Sequence, residues 1–481
     1  QPLKLAQEPS PHNVNRRMNL SELIFDINTL AEGYSQNTFS VSDVVTEALK
    51  RIREGDSKIW ITVDTDKNLL AQANKIENSK STDLPLYGIP FSISDNIDVE
   101  NLPTTAACPD YKKFPKGDAT VIAQLRAAGG IPIGKTNLDE FSTGLAGVNS
   151  SYGAPENPFD PSYIPGGSNS GSAVSVTLSQ VSFSIGIDTI GASLIPASYN
   201  NLIALKPSRG LLSASGTIPA YRSQDSVSII SLNANDAQTV FRTAAAFDPT
   251  YPFSRVAPDF VKDASQASKE PSTFGIPDPT QLKFFENNSY LEAFLESIKC
   301  LEALGYEKQV IDFTPFLEAG RLFHNGPWVA ERYLAIQDLI ENAPEILQPS
   351  TRAIIETGSD FSAVNVFEAH YKMEALKHQA NSAMSGVDFL VTPTAGTHYA
   401  LSEFEEDSES LNSNLGYYTN FINTLDLSAI AVPTAVIESQ TPFGVNLMAQ
   451  TFQENNLLGV AVKLHQASNL PLGASDLKRA N

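Results

Sequence analysis

The segment PGGSNSGSAVSVTLSQVSFSIGIDTIGAS, residues 165–193, contains two turns made of small residues. The first turn, residues 165–172, is rich in Gly and Ser, and the second, residues 188–193, reads DTIGAS. Between them, small apolar residues predict a short buried helix, and VSFSIGID alternates in a way that predicts a strand with one small-residue face. Such a unit can bring its two turns together at one sheet edge. A Gly/Ser loop can present N–H groups and hydroxyls to a ligand, and a plain Ser-rich turn is the alternative.

The rest of the chain alternates short apolar runs with helical patterns, which predicts an α/β fold with one central sheet. A first helical pattern begins at Ser21. A second has Ser40 or Ser42 as its N-cap and Gly55 as its stop signal. Further strands are predicted where the sequence reads WITV, LYGIPFSI, GGIPIGK, DFLVTPTA, SAIAVPTAVIE and PFGVNLMA.

Strand segments occur at both ends of the chain, which predicts one interleaved domain over residues 19–475. Two stretches inside it, 285–345 and 361–385, are more charged and predict helices, so a helical cap or substrate subdomain is expected at about residues 285–385. Residues 1–18 are polar and without periodicity, which predicts an N-terminal arm, and residues 476–481 are expected to form a tail.

The composition excludes several classes of function. The 481 residues carry a formal net charge of −21, which argues against a nucleic-acid partner or an anionic membrane partner. The sequence contains no run of about 20 apolar residues, so no membrane span is predicted. The two cysteines, Cys108 and Cys300, are expected to be unpaired thiols. No metal-binding spacing of His and Cys and no dinucleotide fingerprint is present, so neither a metal nor another cofactor is expected.

Localisation is left open by the sequence. The chain begins with Gln1 rather than Met and has N-x-S sequons at Asn19, Asn149 and Asn287, features that a secreted protein shows. A trimmed sequence and chance sequons in an Asn- and Ser-rich chain explain the same facts, which leaves a cytoplasmic location as the alternative.

The two turns together resemble the amidase signature, whose pattern is G-G-S-S-[GS]-G-S followed by D-T-[AG]-G-S-x-R-x-P. The resemblance extends over about residues 20–475 and includes YGIPFSISDNIDVENLPTTAACP at 87–109 and GKTNLDEFSTG at 134–144. GPWVAER at 326–332, YYTNFINTLDLSAIAVP and PFGVNLMA resemble the allophanate hydrolase branch in particular. The resemblance implies an amidase-signature fold, a mixed central sheet covered by helices on both faces. Family members often pair, so a homodimer is possible.

The family uses a Ser–Ser–Lys mechanism, in which a neutral lysine acts through a bridging serine, held by a cis peptide, on a nucleophilic serine. A serine hydroxyl needs such a base before it attacks. By position, the bridging serine is Ser168, whereas Ser94 stands at the lysine position and Ala192 at the nucleophile position. The resemblance therefore implies that base and nucleophile are both replaced.

Three further positions depart from the pattern. Ile190 replaces a small residue, Leu194 replaces an arginine, and Asn169 follows the bridging serine. Ser193 lies one residue beyond the nucleophile position, but adjacent side chains point in different directions, so hydrolysis by a shifted nucleophile would require a rebuilt turn. Ser94, Ser193 and Leu194 are expected to line the substrate pocket.

The resemblance also suggests what remains in the pocket. The N–H groups of Ile190, Gly191 and Ala192 are candidates for an oxyanion hole, because such a site uses backbone. Asp188 is a candidate for moving a proton, and holding the turn through backbone N–H groups is its alternative role.

Two positions of the allophanate hydrolase branch suggest an acidic ligand. Arg332 matches a carboxylate contact, since its guanidinium can donate two parallel hydrogen bonds, and a structural ion pair in the cap is the alternative. His324 replaces a tyrosine and can move protons, with Ser168 as a second candidate, although a cap histidine without a role explains His324 as well.

Three functions compete on this sequence. The first is a repurposed small-molecule pocket, most simply an enzyme that isomerises, eliminates or closes a ring without a covalent intermediate. The second is a non-catalytic binding or regulatory protein. The third is a weak residual amide hydrolase that uses Ser193 or Ser168.

Overall fold

The computed structural model describes residues 19–79, 81–263, 269–437 and 440–476. The predicted N-terminal arm, 1–18, lies outside the described residues, and so does the tail except for its first residue.

The molecule is built on one mixed sheet of eleven described strands in the order β1-β3-β2-β4-β6-β5-β10-β11-β9-β7-β8. The strands run parallel within β3-β2-β4 and within β9-β7-β8, and the other neighbours are antiparallel. The strands are β1 Trp60–Val63, β2 Pro90–Ser94, β3 Ile131–Thr136, β4 Phe183–Asp188, β5 Ile203–Lys206, β6 Ser226–Ser231, β7 Thr273–Pro277, β8 Glu307–Ile311, β9 Phe389–Pro393, β10 Ser428–Val436 and β11 Pro442–Ala449.

Helices cover the sheet, which confirms the predicted fold class. The α-helices of the described chain are α1 Ile27–Ser35, α2 Val41–Glu54, α3 Asp66–Ser79, α4 Thr120–Ala127, α5 Ser170–Thr177, α6 Leu194–Tyr199, α7 Ala234–Ala244, α8 Asp259–Lys262, α9 Asn288–Ala303, α10 Thr314–Asn325, α11 Val329–Ala335, α12 Gln337–Asn342, α13 Pro349–Glu356, α14 Ala363–Ala383, α15 Leu401–Glu406, α16 Ser408–Leu415 and α17 Glu454–Ser468.

The alternation of β4 explains how the sheet divides the core. Phe183, Ile185 and Ile187 belong to one buried apolar cluster, and Phe183 stacks on Phe91 of β2 with 4.9 Å between ring centroids. The opposite, small-residue face packs against α5, whose apolar side chains belong to the second cluster. The predicted strand with one small-residue face is therefore confirmed.

Strand direction places the candidate chemistry at one edge. β2 and β4 are parallel neighbours, with Ile93 paired to Ile185, so their carboxyl ends lie together. Ser94 ends β2 and Asp188 ends β4. The two turns of the opening segment meet there, which the sequence alone only suggested.

The helix boundaries show which local signals decide. α2 follows its prediction, because Ser40 forms a capping box with Asp43 and the helix ends at Gly55. The first helix was predicted to begin at Ser21, which is wrong: it begins at Ile27, where the side chain of Asp26 accepts the N–H of Thr29. Capping outweighed apolar periodicity at this end.

Residues 285–345, which were expected to be helical, contain helices α9 to α12 but also a strand that was not predicted. Strand β8 lies within this stretch and adds an edge strand parallel to β7. Its side chains are mostly exposed, so its sequence EKQVI lacks the apolar run that identifies a buried strand.

Three other predictions concern the whole chain. Cys108 and Cys300 are both free thiols, and burial raises the pKa of Cys108 to about 12. None of the helices that the structure describes is both long enough and apolar enough to cross a bilayer. In the same residues, no group of three or more His, Cys, Asp or Glu side chains is placed to hold a metal ion.

Candidate functional site at the two turns

The two Gly/Ser turns contact each other directly. The N–H of Asn169 donates to the carbonyl of Ala192 at 3.1 Å, which ties the first turn to the second. The peptide bond between Gly167 and Ser168 is cis. Gly166 packs so closely on the start of α6 that an added methyl group would lie 2.8 Å from the Cα of Pro196. Glycine is therefore required where the turns approach.

Ser168 is held by its backbone and leaves its hydroxyl unused. Its carbonyl accepts the N–H of Asp139 at 3.0 Å and that of Ser170 at 2.9 Å. Its Oγ is fully buried and has no hydrogen-bond partner among the described residues. Because a buried hydroxyl without a partner costs free energy of folding, this atom is a candidate contact for a ligand.

Asp188 shapes the second turn through three backbone hydrogen bonds. Its Oδ1 accepts the N–H of Gly191 at 2.8 Å, and its Oδ2 accepts those of Ser193 at 2.7 Å and Leu194 at 3.2 Å. Burial raises the pKa of Asp188, and the three N–H groups oppose that shift. Both carboxylate oxygens accept hydrogen bonds from the turn, so the structure favours the turn-holding role of Asp188 over a role in moving a proton.

The oxyanion expectation needs a correction at one residue. The N–H of Gly191 is occupied by the carboxylate of Asp188, so it does not point at a ligand. Within the described residues, the N–H groups of Ile190 and Ala192 have no assigned acceptor. Those two amides remain the candidates for holding a carbonyl oxygen.

A chain of buried polar side chains crosses the site. The Ser94 hydroxyl donates to Asn169 Oδ1 at 2.9 Å, and Asn169 Nδ2 donates to Ser193 Oγ at 2.8 Å. Ser193 Oγ is also 2.7 Å from Ser228 Oγ on β6. All four residues are buried, so two predicted pocket residues, Ser94 and Ser193, face this network.

Two lysines are fully buried in the described chain, and both are bound elsewhere. Lys135 Nζ lies 3.0 Å from Asp95 Oδ1 and also contacts Thr104 Oγ1 at 3.1 Å. Lys206 Nζ donates to the carbonyl of Pro207 at 2.8 Å. Burial lowers the pKa of Lys206 to about 8, and the charge of Asp188 opposes the shift.

Arg332 on α11 is buried without an ion pair among the described residues. Its Nη1 donates to the carbonyl of Phe141 at 2.9 Å and its Nη2 to that of Ser142 at 2.9 Å. Its Nε is buried and has no acceptor in the described part of the chain. The alternative of a structural ion pair with a cap carboxylate is therefore wrong.

Tyr221 links Arg332 to the second turn. The guanidinium of Arg332 lies over the Tyr221 ring, 4.4 Å from its centroid, and the Tyr221 N–H donates to Asp225 Oδ1 at 3.0 Å. The hydroxyl of Thr189 donates to the same carboxylate oxygen. These contacts connect the predicted carboxylate-binding residue with the predicted oxyanion turn.

His324 lies at the C-terminal end of α10 with an exposed side chain. Desolvation by the surrounding protein and the positive charge of Arg332 lower the pKa of His324. Its neighbour Phe323 packs against Tyr221, with 4.8 Å between ring centroids. His324 therefore lies next to a residue that contacts the Tyr221 ring, over which Arg332 lies. No described hydrogen bond joins His324 to Ser168.

The two apolar residues that depart from the family pattern, Ile190 and Leu194, have different surroundings. Leu194 is fully buried within the second apolar cluster, so it serves the core and is not accessible as a pocket wall in this structure. Ile190 is only half-buried and remains available at the turn, where its carbonyl accepts the hydroxyl of Thr419.

Some contributing residues were not predicted from the sequence. Ser228, Tyr221 and Asp225 lie far along the chain, and no motif marked them. Asn169 was named only as a departure from the family pattern, and that departure was the sequence feature that could have marked it as a site residue. A cleft of about 510 Å³ opens away from the turns, lined by Tyr333, Ile340, Glu341, Ala353, Glu356, Thr357, Ser359 and Asp360.

The comparisons with known proteins agree with this architecture. The sequence model described as Amidase matches residues 43–458. This chain belongs to the amidase family. It is 37% identical to the urea amidolyase of Saccharomyces cerevisiae over 411 residues, which are 85% of this chain and 22% of that protein. It is 30% identical to a glutamyl-tRNA(Gln) amidotransferase subunit from Alkaliphilus metalliredigens, covering 91% of this chain and 95% of that protein.

Solved structures place this amidase-family chain near allophanate hydrolase. The Kluyveromyces lactis allophanate hydrolase superposes with a TM-score of 0.86 at 33% identity, over 93% of this chain and 73% of that one. The K. lactis urea amidolyase superposes with a TM-score of 0.87 at 34% identity, over 93% and 27%. The chain thus spans less than a third of the length of the urea amidolyases it matches.

Proposed function

We propose that this chain is a diverged, allophanate hydrolase-like member of the amidase family whose pocket handles a small acidic molecule without forming an acyl-enzyme. The observation that supports it is the pair of replaced positions: Ala192 has no hydroxyl, and the hydroxyl of Ser94 is bound to Asn169. Covalent serine catalysis needs an activated hydroxyl and a base, and neither stands at these positions. Isomerisation, elimination or ring closure is the expected class of reaction.

No fully buried lysine of the described residues is free to act as a substitute base on Ser168. Lys135 and Lys206, the two fully buried lysines, use their ammonium groups in other hydrogen bonds. Ser193, the shifted nucleophile of the residual-hydrolase hypothesis, is bound by Asn169 and Ser228. Residual hydrolysis through Ser193 is therefore the less favoured function.

The buried positive charge of Arg332 supports an acidic ligand. Arg332 is a buried cation with no ion pair in the described residues, and its Nε lacks an acceptor. A ligand carboxylate would supply both the charge and the acceptor. The ligand carbonyl is expected at the amides of Ile190 and Ala192, with Ser168 or His324 as the group that moves a proton.

A hydrolysis assay tests the proposal. Purified protein is incubated with allophanate, malonamide and acetamide, and ammonia release is compared with a buffer blank. Release no greater than the blank is expected, because no acyl-enzyme forms. Turnover that disappears in the Ser193→Ala variant would refute the proposal in favour of the shifted nucleophile. Turnover that survives this change refutes it as well.

A binding experiment tests the acidic-ligand part. Native mass spectrometry of the protein after exposure to a library of small carboxylates is expected to show a bound species that Arg332→Met weakens. Arg352→Met is the matched control, because Arg352 is an exposed arginine of the same cap. A ligand recovered unchanged after long incubation supports the binding-protein alternative, whereas a product of altered structure supports an enzyme. Size measurement of the same sample tests the proposed homodimer.

A further inference from the structure

Asn169 uses its whole side-chain amide inside the site. Oδ1 accepts the Ser94 hydroxyl, and Nδ2 donates both to Ser193 Oγ and to the carbonyl of Ile187 at 3.0 Å. The residue is fully buried. Three partners on three separate segments hold the amide in one orientation, so it is a fixed part of the site.

The amide also fills the available space. It lies against Gly186 on β4, where an added methyl group would approach Asn169 Nδ2 to 2.7 Å. The chain positions Ser168 directly before Asn169, with a hydroxyl that has no partner among the described residues. The amide therefore stands between the end of β2, which carries Ser94, and the second turn.

We propose that Asn169 is a positioning residue that excludes a lysine base from this site, so that it forms a functional set with Ser94 and Ala192. This inference rests on the proposed function, in which positions 94 and 192 carried the base and nucleophile of the amidase signature. The family pattern has a smaller serine at position 169. Asparagine there keeps the site closed to serine hydrolysis even when base and nucleophile are restored.

The physical reason is the geometry and charge preference of the amide. A lysine side chain at position 94 is longer than serine and would run directly into Asn169 Oδ1, which lies 2.9 Å from the present hydroxyl. A carbonyl oxygen accepts a hydrogen bond from an ammonium group and so favours the protonated lysine. A protonated lysine cannot accept a proton from Ser168.

The test restores the replaced groups in two steps. The variants are Ser94→Lys/Ala192→Ser and Ser94→Lys/Ala192→Ser/Asn169→Ser, and the probe is a fluorophosphonate that reacts with activated serines. In that reaction the introduced serine oxygen bonds to phosphorus, the P–F bond breaks, and fluoride leaves. The serine proton passes through Ser168 to the introduced lysine. Intact-protein mass spectrometry measures the rate.

The expected result is labelling of the triple variant about 100-fold faster than that of the double variant, which is the lower range of a general-base contribution. Equal labelling of both variants overturns the inference, and so does the absence of labelling in both. Wild-type protein that is labelled at Ser193 would instead refute the proposed function, so the two failures are distinguishable.

Two control variants, and one replacement variant in case of misfolding, separate removal of the Asn169 amide from a general loosening of the network. Ser94→Lys/Ala192→Ser/Ser228→Ala also removes a hydrogen bond from the network but leaves the amide in place, so its labelling is expected to match the double variant. Should the serine triple variant fail to fold by circular dichroism, Asn169→Ala in the same background tests the same space. Asn169→Ser alone is expected to remain unlabelled, because it restores neither base nor nucleophile.

Discussion

Replacing Asp188 distinguishes a turn-holding carboxylate from a catalytic one. The buried carboxylate accepts three backbone N–H groups, from Gly191, Ser193 and Leu194, at 2.7–3.2 Å. In Asp188→Ala all three donors lose their acceptor. A buried donor left unpaired costs about 1–3 kcal/mol, so the free energy of unfolding should fall by about 5 kcal/mol.

Asp188→Asn should cost less. The amide oxygen can face two of the donors, whereas the amide NH₂ then faces the third N–H, so one hydrogen bond is lost. We expect a fall of about 2 kcal/mol, partly offset because a neutral group is cheaper to bury than a charge.

Urea unfolding followed by circular dichroism measures both variants. Asp83→Asn is the control, since Asp83 is exposed and should change stability by less than about 0.5 kcal/mol. If Asp188→Ala and Asp188→Asn both unfold within about 0.5 kcal/mol of wild type, the turn-holding account is refuted. Loss of ligand turnover by such stable variants would then support the proton-moving role.

Three further predictions concern stability. Gly191→Ala should lower the free energy of unfolding by about 2 kcal/mol, because Gly191 has φ 107° and an added Cβ would lie 2.6 Å from Thr419 Oγ1. Gly459→Ala in helix α17 is its control, because a Cβ added at Gly459 would meet no neighbouring residue within 4 Å, so no loss of stability is expected. Equal losses of stability for the two variants in urea unfolding would contradict the role of Gly191. Ser168→Ala should raise the melting temperature, with a gain of about 1 kcal/mol, because it removes a buried hydroxyl that lacks a described partner; a loss of stability would mean that the hydroxyl is hydrogen-bonded in solution. His398 is buried and its pKa is lowered to about 4, so the unfolded chain binds this proton at a higher pH than the folded one. As the pH falls from about 7 to 4, the free energy of unfolding of the wild type should therefore fall by about 3 kcal/mol more than that of His398→Gln. Above pH 7 the two proteins should show the same dependence of stability on pH. Parallel profiles over the whole range would contradict a buried neutral histidine.

Local sequence signals predicted the scaffold well where one strong cue acts within a short segment. The Ser40 cap and Gly55 set the ends of α2, and the alternation of VSFSIGID set the two faces of β4. These cues act within a few residues, because a cap accepts N–H groups of its own first turn and alternation decides which side chains share a strand face. The edge strand β8 escaped prediction because its exposed side chains leave no apolar pattern.

The resemblance to the amidase signature also came from sequence, since the order of residues along the chain matches Ser94, Ser168 and Ala192 to positions of the family pattern. Tertiary structure decided what those residues contact. Asn169 joins Ser94 to Ser193, and Tyr221 joins Arg332 to the second turn, across separations that no local pattern encodes. Sequence spacing determines which side chains reach an edge, whereas hydrogen bonds between distant segments depend on strand order and packing.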